Sequence, residues 1–478
     1  MKKNSSQHRG LILINVLVFA VIAIVVTIAL INWATTVIRS SRQLTTREQA
    51  LQIAEAGIDY YRWHLAHARS DYTDGNATTT TGPFIHDMKD KDGNVIGSYS
   101  LVITPPVSGT TIVKIKSTGK VTADPDVSRT LEVKLGIPSL AKFSVAANDI
   151  MRFGAGTEIF GPIQSNNGIR VDGIAHNTVT SAKDKYVDPD NGSAQRFGVY
   201  TTSGTDDPSP PAPVPNRPDV FMAGRQFPVA AIDFVGMTTD LSTMKTVAQA
   251  DARYFGASGA KGYHVVLKTN DTFDLYKVTS LTTASKSCEQ DGYSQKPTWG
   301  TWTIQNQTFL QNYSFPPGGT LFFEDDVWVD GQVNTARLTI AAGKFPDSSS
   351  TRKSITINNN LLYTNYDGQD TISLVAQGNI NTGLSSLDTL RIDSALVAQN
   401  GRVGRHYYSS RCGTGYDRTS LTLYGMIATN LRYGFAYTDG TGYNLRNIIY
   451  DQNLLYSPPP NFPLTSDQYS VISWDEVK

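Results

Sequence analysis

The stretch LILINVLVFAVIAIVVTIALI (residues 11–31) decides how this chain folds, because Asn15 and Thr27 are its only polar residues. A helix of that length spans roughly 30 Å at about 1.5 Å per residue, the thickness of the hydrocarbon core of a bilayer. The preceding MKKNSSQHRG (residues 1–10) is basic, and the positive-inside rule keeps it in the cytoplasm. The sequence therefore predicts a single pass through the inner (cytoplasmic) membrane, with an extracytoplasmic C-terminal region from about residue 35.

The apolar stretch continues into an amphipathic second half of the same helix. No Gly or Pro occurs between Leu11 and Gly57. Apolar residues then recur every seven positions, at Val37, Leu44, Leu51, Ile58 and Leu65. Such a narrow apolar seam needs a partner surface, and we expect one helical rod over residues 11–69. A cleaved secretory leader is not expected, because its small-residue cut site would follow the apolar core, whereas Gly10 precedes it.

Residues 1–70 resemble type IV pilin-like proteins, in particular minor pilins of the PilX-type N-terminal class. The resemblance is carried by the basic leader that ends in Gly10, the apolar start, and ALQIAEAGIDYYRWHL (residues 50–65). It implies that a prepilin peptidase cuts after Gly10 and that the new terminus, Leu11, is N-methylated. It also implies that the helix leaves the membrane lipid and packs among other pilin subunits in an extracellular pilus. The alternative is a single-pass anchor with a juxtamembrane coiled coil.

Asn15 departs from the pattern of the pilin family. Major pilins carry a Glu at this fifth mature position, where it pairs with the terminal amine of a neighbouring subunit. The Asn15 amide can accept a hydrogen bond but cannot neutralise an ammonium, and a buried unpaired charge is costly. A subunit at the filament tip has no subunit beyond it to neutralise. Together with the large region after residue 70, this implies a tip or low-copy minor pilin.

The composition of the chain limits its possible partners, its domain number and its covalent cross-links. The 478 residues contain 42 basic and 42 acidic side chains, so the net charge is zero and no nucleic-acid partner is expected. The chain is too long for one compact core. Its two cysteines, Cys288 and Cys412, form either one disulfide in an oxidising exterior or two unpaired thiols, and the sequence contains no distance that decides between them.

Alternation of apolar and polar residues marks the region after the helix. Residues 94–136 contain three such segments separated by turn residues, which predicts an antiparallel β-meander head covered by the helix. The DKDGN stretch (residues 90–94) favours a hairpin turn over a Ca²⁺ site, because it lacks a downstream Glu ligand.

Beyond residue 150, short strand-like segments resemble one another. They include SLVAQGNI (373–380), ALVAQNGRV (395–403) and GMIATNLRY (425–433). Val375 and Val397 are 22 residues apart, and a repeat of that length predicts a solenoid, most simply a right-handed parallel β-helix. The interval from Ala398 to Ala428 is longer, so a loop that contains Cys412 is expected there.

An insertion interrupts this repeat. It opens with a Pro-rich linker and continues with a helix near residues 239–255 and two strands at 262–268 and 272–278. The predicted fold class is α+β: a long N-terminal pilin helix, a small β-meander head and a large, mainly β domain. The predicted divisions are a prepilin leader (1–10), a transmembrane and amphipathic pilin helix (11–70), the meander head (71–145), a β-helix-like domain (146–180 and 320–478) and the α+β insertion (181–319).

No catalytic residue, metal site or cofactor is predicted. The sequence has no glycine-rich phosphate loop, nucleophile elbow or Cys-x-x-Cys spacing. His64 and His67 lack an acidic or cysteine partner at matching spacing. Asp326, Asp330 and Asp393 lie near the rungs, where β-helix polysaccharide lyases and glycosidases carry acidic or basic residues, but an isolated aspartate at a turn is the commoner explanation.

The expected function is that of a minor pilus or pseudopilus subunit whose β-rich head primes assembly, adheres to a surface, or both. One alternative is a membrane-anchored cell-envelope protein that binds carbohydrate, and another is a β-helix polysaccharide-degrading enzyme. Surface carbohydrate is a candidate partner because aromatic residues concentrate near the C-terminus. These are Tyr407, Tyr408, Tyr416, Tyr433, Phe435, Tyr437 and Tyr443.

Overall fold

The computed structural model describes residues 7–77, 79–80, 82–107, 110–192, 194–234, 237–288, 300–464 and 468–477. The chain forms two compact units. Unit 1 comprises Met1–Pro105, Val113–Leu135 and Val471–Lys478, and unit 2 comprises Pro106–Ile112 and Gly136–Ser470. Part of the predicted leader (residues 1–6) and part of the predicted insertion (residues 289–299) lie outside the described residues.

Two α-helices and many short strands make up the described chain. The helices are α1 (Gln7–His67) and α2 (Met237–Ala250), with 3-10 helices at Leu140–Lys142, Ser410–Cys412 and Gln452–Leu455. The strands are β1 (Phe84–Lys89), β2 (Val95–Thr104), β3 (Val113–Val121), β4 (Asp124–Gly136), β5 (Val145–Ala147), β6 (Met151–Phe153), β7 (Glu158–Ile159), β8 (Ile163–Ser165), β9 (Ile169–Val171), β10 (Ile174–Ala175), β11 (Val179–Ser181), β12 (Lys185–Val187), β13 (Gln195–Phe197), β14 (Val199–Tyr200), β15 (Arg225–Gln226), β16 (Tyr254–Phe255), β17 (Gly262–Lys268), β18 (Thr272–Leu281), β19 (Ile304–Ser314), β20 (Thr320–Phe323), β21 (Val327–Val333), β22 (Arg337–Ala342), β23 (Ile355–Thr356), β24 (Leu361–Tyr363), β25 (Thr371–Ala376), β26 (Ile380–Thr382), β27 (Thr389–Ala398), β28 (Val403–Arg405), β29 (Asp417–Thr429), β30 (Gly442–Tyr450) and β31 (Ser470–Val477).

The predicted long helix followed by a large, mainly β region is confirmed. α1 runs without a break from Gln7 to His67, close to the predicted span of residues 11–69. Its continuity follows from its sequence, because it contains no Pro, and Gly57 is its one glycine after Leu11.

The sheet of unit 1 is larger than the predicted three-stranded meander. Its strand order is β1-β2-β3-β4-β31, and β1 to β4 pair as consecutive antiparallel neighbours. The Asp90 carboxylate accepts hydrogen bonds from the backbone N–H groups of Asp92 and Asn94, both at 2.9 Å, so DKDGN forms a turn between β1 and β2.

The C-terminal strand is where unit 1 differs most from the predicted divisions. β31 joins the sheet at the edge beside β4, although the predicted boundaries place it in the β-helix-like domain. A strand whose partner lies more than 300 residues earlier leaves no local sign of its partner in the sequence.

The end of α1 packs closely on this sheet. Residues Ala50, Ile53, Ala54, Ile58, Tyr61 and Leu65 are buried. Glycines allow the close approach: a Cβ atom on Gly119 of β3 would lie 2.2 Å from the carbonyl oxygen of Ala50, and one on Gly57 would lie 2.4 Å from the Ser117 hydroxyl.

Unit 2 is built from ladders of short parallel strands. The longest passes in order through β16, β20, β22, β25, β27, β29, β5, β8, β11 and β15, each parallel to the next. A second joins β21, β23, β26 and β28. A third passes through β17, β21, β24 and β27, and on through β29, β30, β7 and β10.

The chain does not follow the ladder from one end to the other. It enters in the middle at β5, passes to β15 at one end, reappears at β16 at the other end, and returns until β29 pairs with β5. Strands from the predicted insertion thereby belong to the same ladders as the flanking regions. Such non-local parallel pairing follows from packing of the complete chain and is not encoded in any short segment.

The predicted 22-residue spacing is present, but the next register differs from the alignment of the repeats. Val375 pairs with Val397, 22 residues later. Val397 then pairs with Ala428 in the structure. Alignment of the repeats ALVAQNGRV and GMIATNLRY would instead pair Ala398 with Ala428. Successive side chains of a strand point to opposite faces, so a shift of the pairing by one residue moves every side chain to the other face of the ladder.

Both faces of the longest ladder are buried. One face, with Leu374, Leu396 and Ile427, lines the core enclosed by the ladders. The other face, with Val375 and Val397, packs in a second core that includes α2 residues. The sequence of these strands is therefore a continuous apolar run without alternation.

The helix predicted near residues 239–255 is α2, which ends at Ala250. Its buried residues Leu241, Met244 and Ala248 belong to the second core together with Phe322. The two predicted strands of the insertion are β17 and β18, which pair as an antiparallel hairpin.

Candidate functional site

The first half of α1 is an apolar surface that nothing in the described chain covers. Large apolar side chains along it are half or more exposed, for example Leu13 at 69% and Phe19 at 72%. Among the described residues it is the one helix long and apolar enough to cross a membrane, and the spanning window has no buried residue. Apolar surface costs about 25 cal/mol per Å² in water, so a stretch of this length needs an apolar environment.

The predicted processing and packing residues lie at the start of this helix. The backbone at Gly10 and Leu11 is helical, and the Leu11 side chain lies outside the described residues. Asn15 is exposed, and its side chain makes no hydrogen bond to any described residue. Thr27, the other polar residue of the stretch, donates to the Ala23 carbonyl oxygen at 2.7 Å, so it adds no unsatisfied donor to the apolar surface.

The middle of α1 carries the predicted seam, and there too the apolar residues are exposed. Val37, Ile38 and Leu44 are each about half exposed or more, at 49%, 52% and 62%. Burial begins only at Ala50. The seam therefore has two parts: the C-terminal part contacts the sheet of unit 1, and the part before residue 50 is left for another partner.

A polar cluster fixes the C-terminal end of α1 to the loop that follows. Tyr60 donates to the Asp74 carboxylate at 2.9 Å, and His86 of β1 contacts the same carboxylate at 2.6 Å. His64 contacts Asp71 at 3.0 Å. Burial raises the pKa of Asp71, but hydrogen bonds from Thr73, from the Gly75 backbone and from His64 outweigh it and lower the pKa to about 2.

The histidines considered as metal ligands are not brought together at a metal site. His64 faces Asp71, whereas the Nδ1 atom of His67 lies 2.8 Å from the Trp63 carbonyl oxygen. Across the described part of the chain, no group of three or more His, Cys, Asp or Glu side chains could hold a metal ion.

The two cysteines form a disulfide in the structure. Cys288 and Cys412 are bonded with their Cα atoms 4.2 Å apart. The buried Arg405 of β28 donates to the backbone carbonyl oxygens of Leu384 and Gly415, so the loop that contains Cys412 is tied to the ladder strands by polar contacts as well. Burial lowers the pKa of the neighbouring His406 to about 3.

Most of the C-terminal aromatic cluster is core. Tyr408, Tyr433, Phe435 and Tyr443 are at most 8% exposed. Tyr407, Tyr416 and Tyr437 are partly exposed. The four buried rings fill space between strands, so the seven residues cannot act together as a binding platform.

The three acidic candidates have different surroundings. The Asp326 carboxylate accepts the Ser354 backbone N–H at 2.9 Å, and burial raises its pKa to about 6. Asp393 is fully buried and accepts from Tyr366 at 2.7 Å. Asp330 lies 3.1 Å from the Nε2 atom of His264 and borders an open groove.

Nothing in the sequence connects His264 with Asp330, because 66 residues separate them. The parallel pairing of β17 with β21 places them on adjacent strands, since His264 pairs with Trp328 two residues before Asp330. The run of three asparagines at 358–360, of which Asn359 and Asn360 line this groove, is the signal in the sequence that could have drawn attention to it.

Comparison with known proteins adds a structural likeness to a pilin. No known family model matches this chain, and no curated protein matches it. Among solved structures, the chain is similar to the competence-associated pilin ComZ from Thermus thermophilus, with 14% sequence identity and a TM-score of 0.29. The alignment covers 90% of this chain and 98% of that chain.

Proposed function

We propose that this protein is a minor subunit of a type IV pilus or a related pseudopilus. The observation that carries the proposal is α1: one unbroken helix whose first half is an uncovered apolar surface and whose last turns are packed on a small β-sheet. A simple membrane anchor has no need for a rigid, gap-free connection to the domain outside. A filament subunit does, because its helix must transmit the position of the buried stalk to its head.

The apolar half of α1 serves two environments in this proposal. Before assembly, residues 11–31 cross the inner membrane, whose hydrocarbon core is about 30 Å thick. After assembly, the same surface contacts the helices of other pilin subunits, and the exposed seam residues Val37, Ile38 and Leu44 extend that contact beyond the bilayer. Removal of the leader after Gly10 by a prepilin peptidase separates the two states.

Asn15 and the size of unit 2 support a tip or low-copy position. The Asn15 amide carries no charge to pair with a neighbouring terminal amine, so this chain fits best where no subunit lies beyond it. Unit 2 includes Gly136–Ser470, a large load for each position of a helical shaft.

Unit 2 is the proposed head, and its parallel ladders support the interpretation that they are the coils of a β-helix. We propose that the head primes assembly or contacts a surface and that it has no enzymatic activity. Its acidic candidates are dispersed: Asp326 accepts a backbone N–H, Asp393 is buried, and Asp330 contacts His264.

The mature N-terminus tests the proposal. Mass spectrometry of the protein from its native host should detect a chain that begins at N-methylated Leu11, and deletion of the prepilin peptidase should leave residues 1–10 attached and remove the protein from sheared filaments. The variant Gly10→Val should also keep the leader, while the matched control Ser6→Ala should be processed normally.

Two outcomes contradict the proposal at different levels. An intact Met1, or a terminus after residue 35, in wild-type cells would leave a permanently anchored envelope protein. Correct processing with an abundance in filaments equal to that of the main subunit would retain the pilin assignment but exclude the tip position.

A further inference from the structure

An open groove on unit 2 has the features of a ligand site. It has a volume of about 770 Å³ and lies between the end of β17, the second half of β21 and the polar residues Asn359 and Asn360. Ligand sites commonly have volumes of about 300–1,000 Å³. The groove is shallow and open to solvent, which suits an extended chain molecule better than a small enclosed one.

Gly331 gives the groove a flat floor. Its φ of 109° lies in a region that side chains rarely adopt, and a Cβ atom there would lie 2.2 Å from the Leu267 carbonyl oxygen. The absence of a side chain between Asp330 and Gln332 leaves backbone at the base and polar groups on both sides.

The polar side chains around this floor are held in place before any ligand arrives. The Asp330 carboxylate contacts His264 at 3.1 Å and accepts from the Asn359 amide at 2.8 Å. The side-chain amide of Gln332 donates to the Thr364 hydroxyl at 3.0 Å. The side-chain Oδ1 atom of Asn360 accepts the backbone N–H of Arg391 at 2.9 Å.

Each of these side-chain amides uses either its oxygen or its NH₂ group in these hydrogen bonds, and the other group stays available to a ligand. Among the described residues, no partner contacts the side-chain oxygens of Gln332 and Asn359 or the side-chain NH₂ group of Asn360. Ordered donors and acceptors next to one another match the hydroxyl groups of a sugar, each of which both donates and accepts. Pre-ordering lowers the entropy lost when a ligand binds.

The charged and apolar side chains that line the groove indicate which class of ligand it can bind. The lining has one acidic and one basic residue, and the basic one, Lys268, is paired with Asp274 at 2.6 Å. The groove therefore has no excess charge for an acidic polymer. Leu362 and Leu387 supply small apolar surfaces suited to the C–H faces of sugar rings.

The surface continues past the groove to an exposed aromatic ring. Arg391, whose backbone contacts Asn360, lies over the Tyr366 ring at 5.2 Å, and Tyr366 is 44% exposed. Successive ladder strands lie about 4.7–4.9 Å apart, a spacing similar to the rise of one hexose in an extended chain.

We propose that this groove binds a neutral, linear oligosaccharide. The inference gives the proposed head a ligand class and rests on the proposed function for its biological setting. Binding itself can be measured on the detergent-solubilised full-length chain without filaments, so loss of binding and loss of pilus assembly are separate results.

Titration calorimetry of the full-length protein with three neutral probes, cellohexaose, maltohexaose and mannohexaose, tests the proposal, with hexagalacturonate as the acidic comparison. At least one neutral probe should bind saturably and more tightly than hexagalacturonate. The double variant Gln332→Ala/Asn359→Ala should weaken that binding about tenfold, because two hydrogen bonds to neutral groups are lost. The matched control Asn444→Ala, an exposed amide on β30, should bind as the wild type does.

A second variant, Leu387→Asp, changes an exposed loop residue of the groove, so it should leave the fold intact. The charge that it places on the apolar surface should abolish binding. Unchanged thermal unfolding of each variant shows that the head is intact. The proposal is overturned by the absence of saturable binding to all three neutral probes, by a preference for hexagalacturonate, or by binding that the groove variants leave unchanged.

Discussion

At the scale of single residues, unit 2 holds several charged groups away from water, each by a different means. Arg405 is fully buried, and its Nη groups donate to backbone carbonyl oxygens. The Tyr408 and Tyr443 rings lie 5.2 and 5.5 Å from its guanidinium. Asp326 is satisfied less well, because its carboxylate accepts one backbone N–H and burial raises its pKa to about 6. The ionised form of Asp326 therefore opposes folding at neutral pH.

The first prediction concerns the pH dependence of Asp326. A carboxyl whose pKa is raised on folding binds more protons in the folded state, so the free energy of unfolding falls as the pH rises from about 4 to 6 and then stays constant. The loss amounts to about 2 kcal/mol. The variant Asp326→Asn keeps the acceptor for Ser354 and should be more stable than the wild type by about 1–2 kcal/mol at pH 7 but equally stable at pH 4.

Urea denaturation of unit 2 at pH 4 and pH 7 measures this difference. Asp184→Asn is the control, because Asp184 is an exposed residue of unit 2 and its loss of charge should leave stability unchanged at both pH values. Equal stabilities of Asp326→Asn and the wild type at pH 7 would contradict the prediction.

At the scale of elements, α1 combines two environments in one helix. Its heptad seam is continuous in the sequence, yet it is exposed before residue 50 and buried afterwards. The change occurs where glycines of the sheet allow the helix backbone to approach. Gly97 of β2 acts in the same way, because a Cβ atom there would lie 2.4 Å from the Ile53 side chain.

The second prediction concerns Gly119 of β3. A Cβ atom at this position would lie 2.2 Å from the Ala50 carbonyl oxygen and 2.5 Å from the Ala54 nitrogen, and neither backbone atom can move without lifting the helix. Gly119→Ala should therefore destabilise unit 1 by about 1–3 kcal/mol, as overpacking of a core does. Thermal unfolding in detergent, followed by protease sensitivity near residue 50, measures the effect.

The control for Gly119 is Lys116→Ala, because Lys116 is an exposed residue of the same strand. This variant should unfold as the wild type does. If Gly119→Ala were as stable as Lys116→Ala, the contact between α1 and the sheet would be looser than the structure describes.

At the scale of the whole molecule, unit 2 is an insertion in the chain of unit 1. The chain leaves the sheet of unit 1 after β4 and re-enters it with β31. The two ends of the insertion are close together, since the Ser470 hydroxyl donates to the Gly136 carbonyl oxygen at 3.0 Å. Termini that meet in this way are typical of inserted domains.

The third prediction is that unit 1 folds without the insertion. Replacement of residues 137–469 by a short glycine–serine linker should leave α1 and the five-stranded sheet intact, because β31 can still reach β4. Circular dichroism and resistance to proteolysis of the shortened chain in detergent measure this. A matched chain that also lacks residues 471–477 should be less stable, since it loses the edge strand and the ion pair between Arg129 and Glu476.

An unfolded shortened chain would contradict the prediction, as would equal stability of the two shortened chains. The first result would mean that unit 2 is needed for unit 1 to fold. The second would mean that β31 contributes nothing to the sheet.

The sequence was enough to predict the long helix, the antiparallel β2–β4 meander and the β17–β18 hairpin, because these depend on local periodicity and on nearby turn residues. It also contained the 22-residue spacing between Val375 and Val397. The apolar run and the Asn at position 15, on which the proposed function depends, could be read directly from residues 11–31.

The folded chain was needed to identify the partner of β31, the pairing of β29 with β5, the Cys288–Cys412 bond and the groove beside Asp330. Each joins segments that are far apart in the chain, so no local pattern encodes it. Burial of both faces of the longest ladder also removes the alternation that would have revealed its register. The physical reason is that long-range pairing is chosen by the fit of the completed core, and that fit exists only once the whole chain has folded.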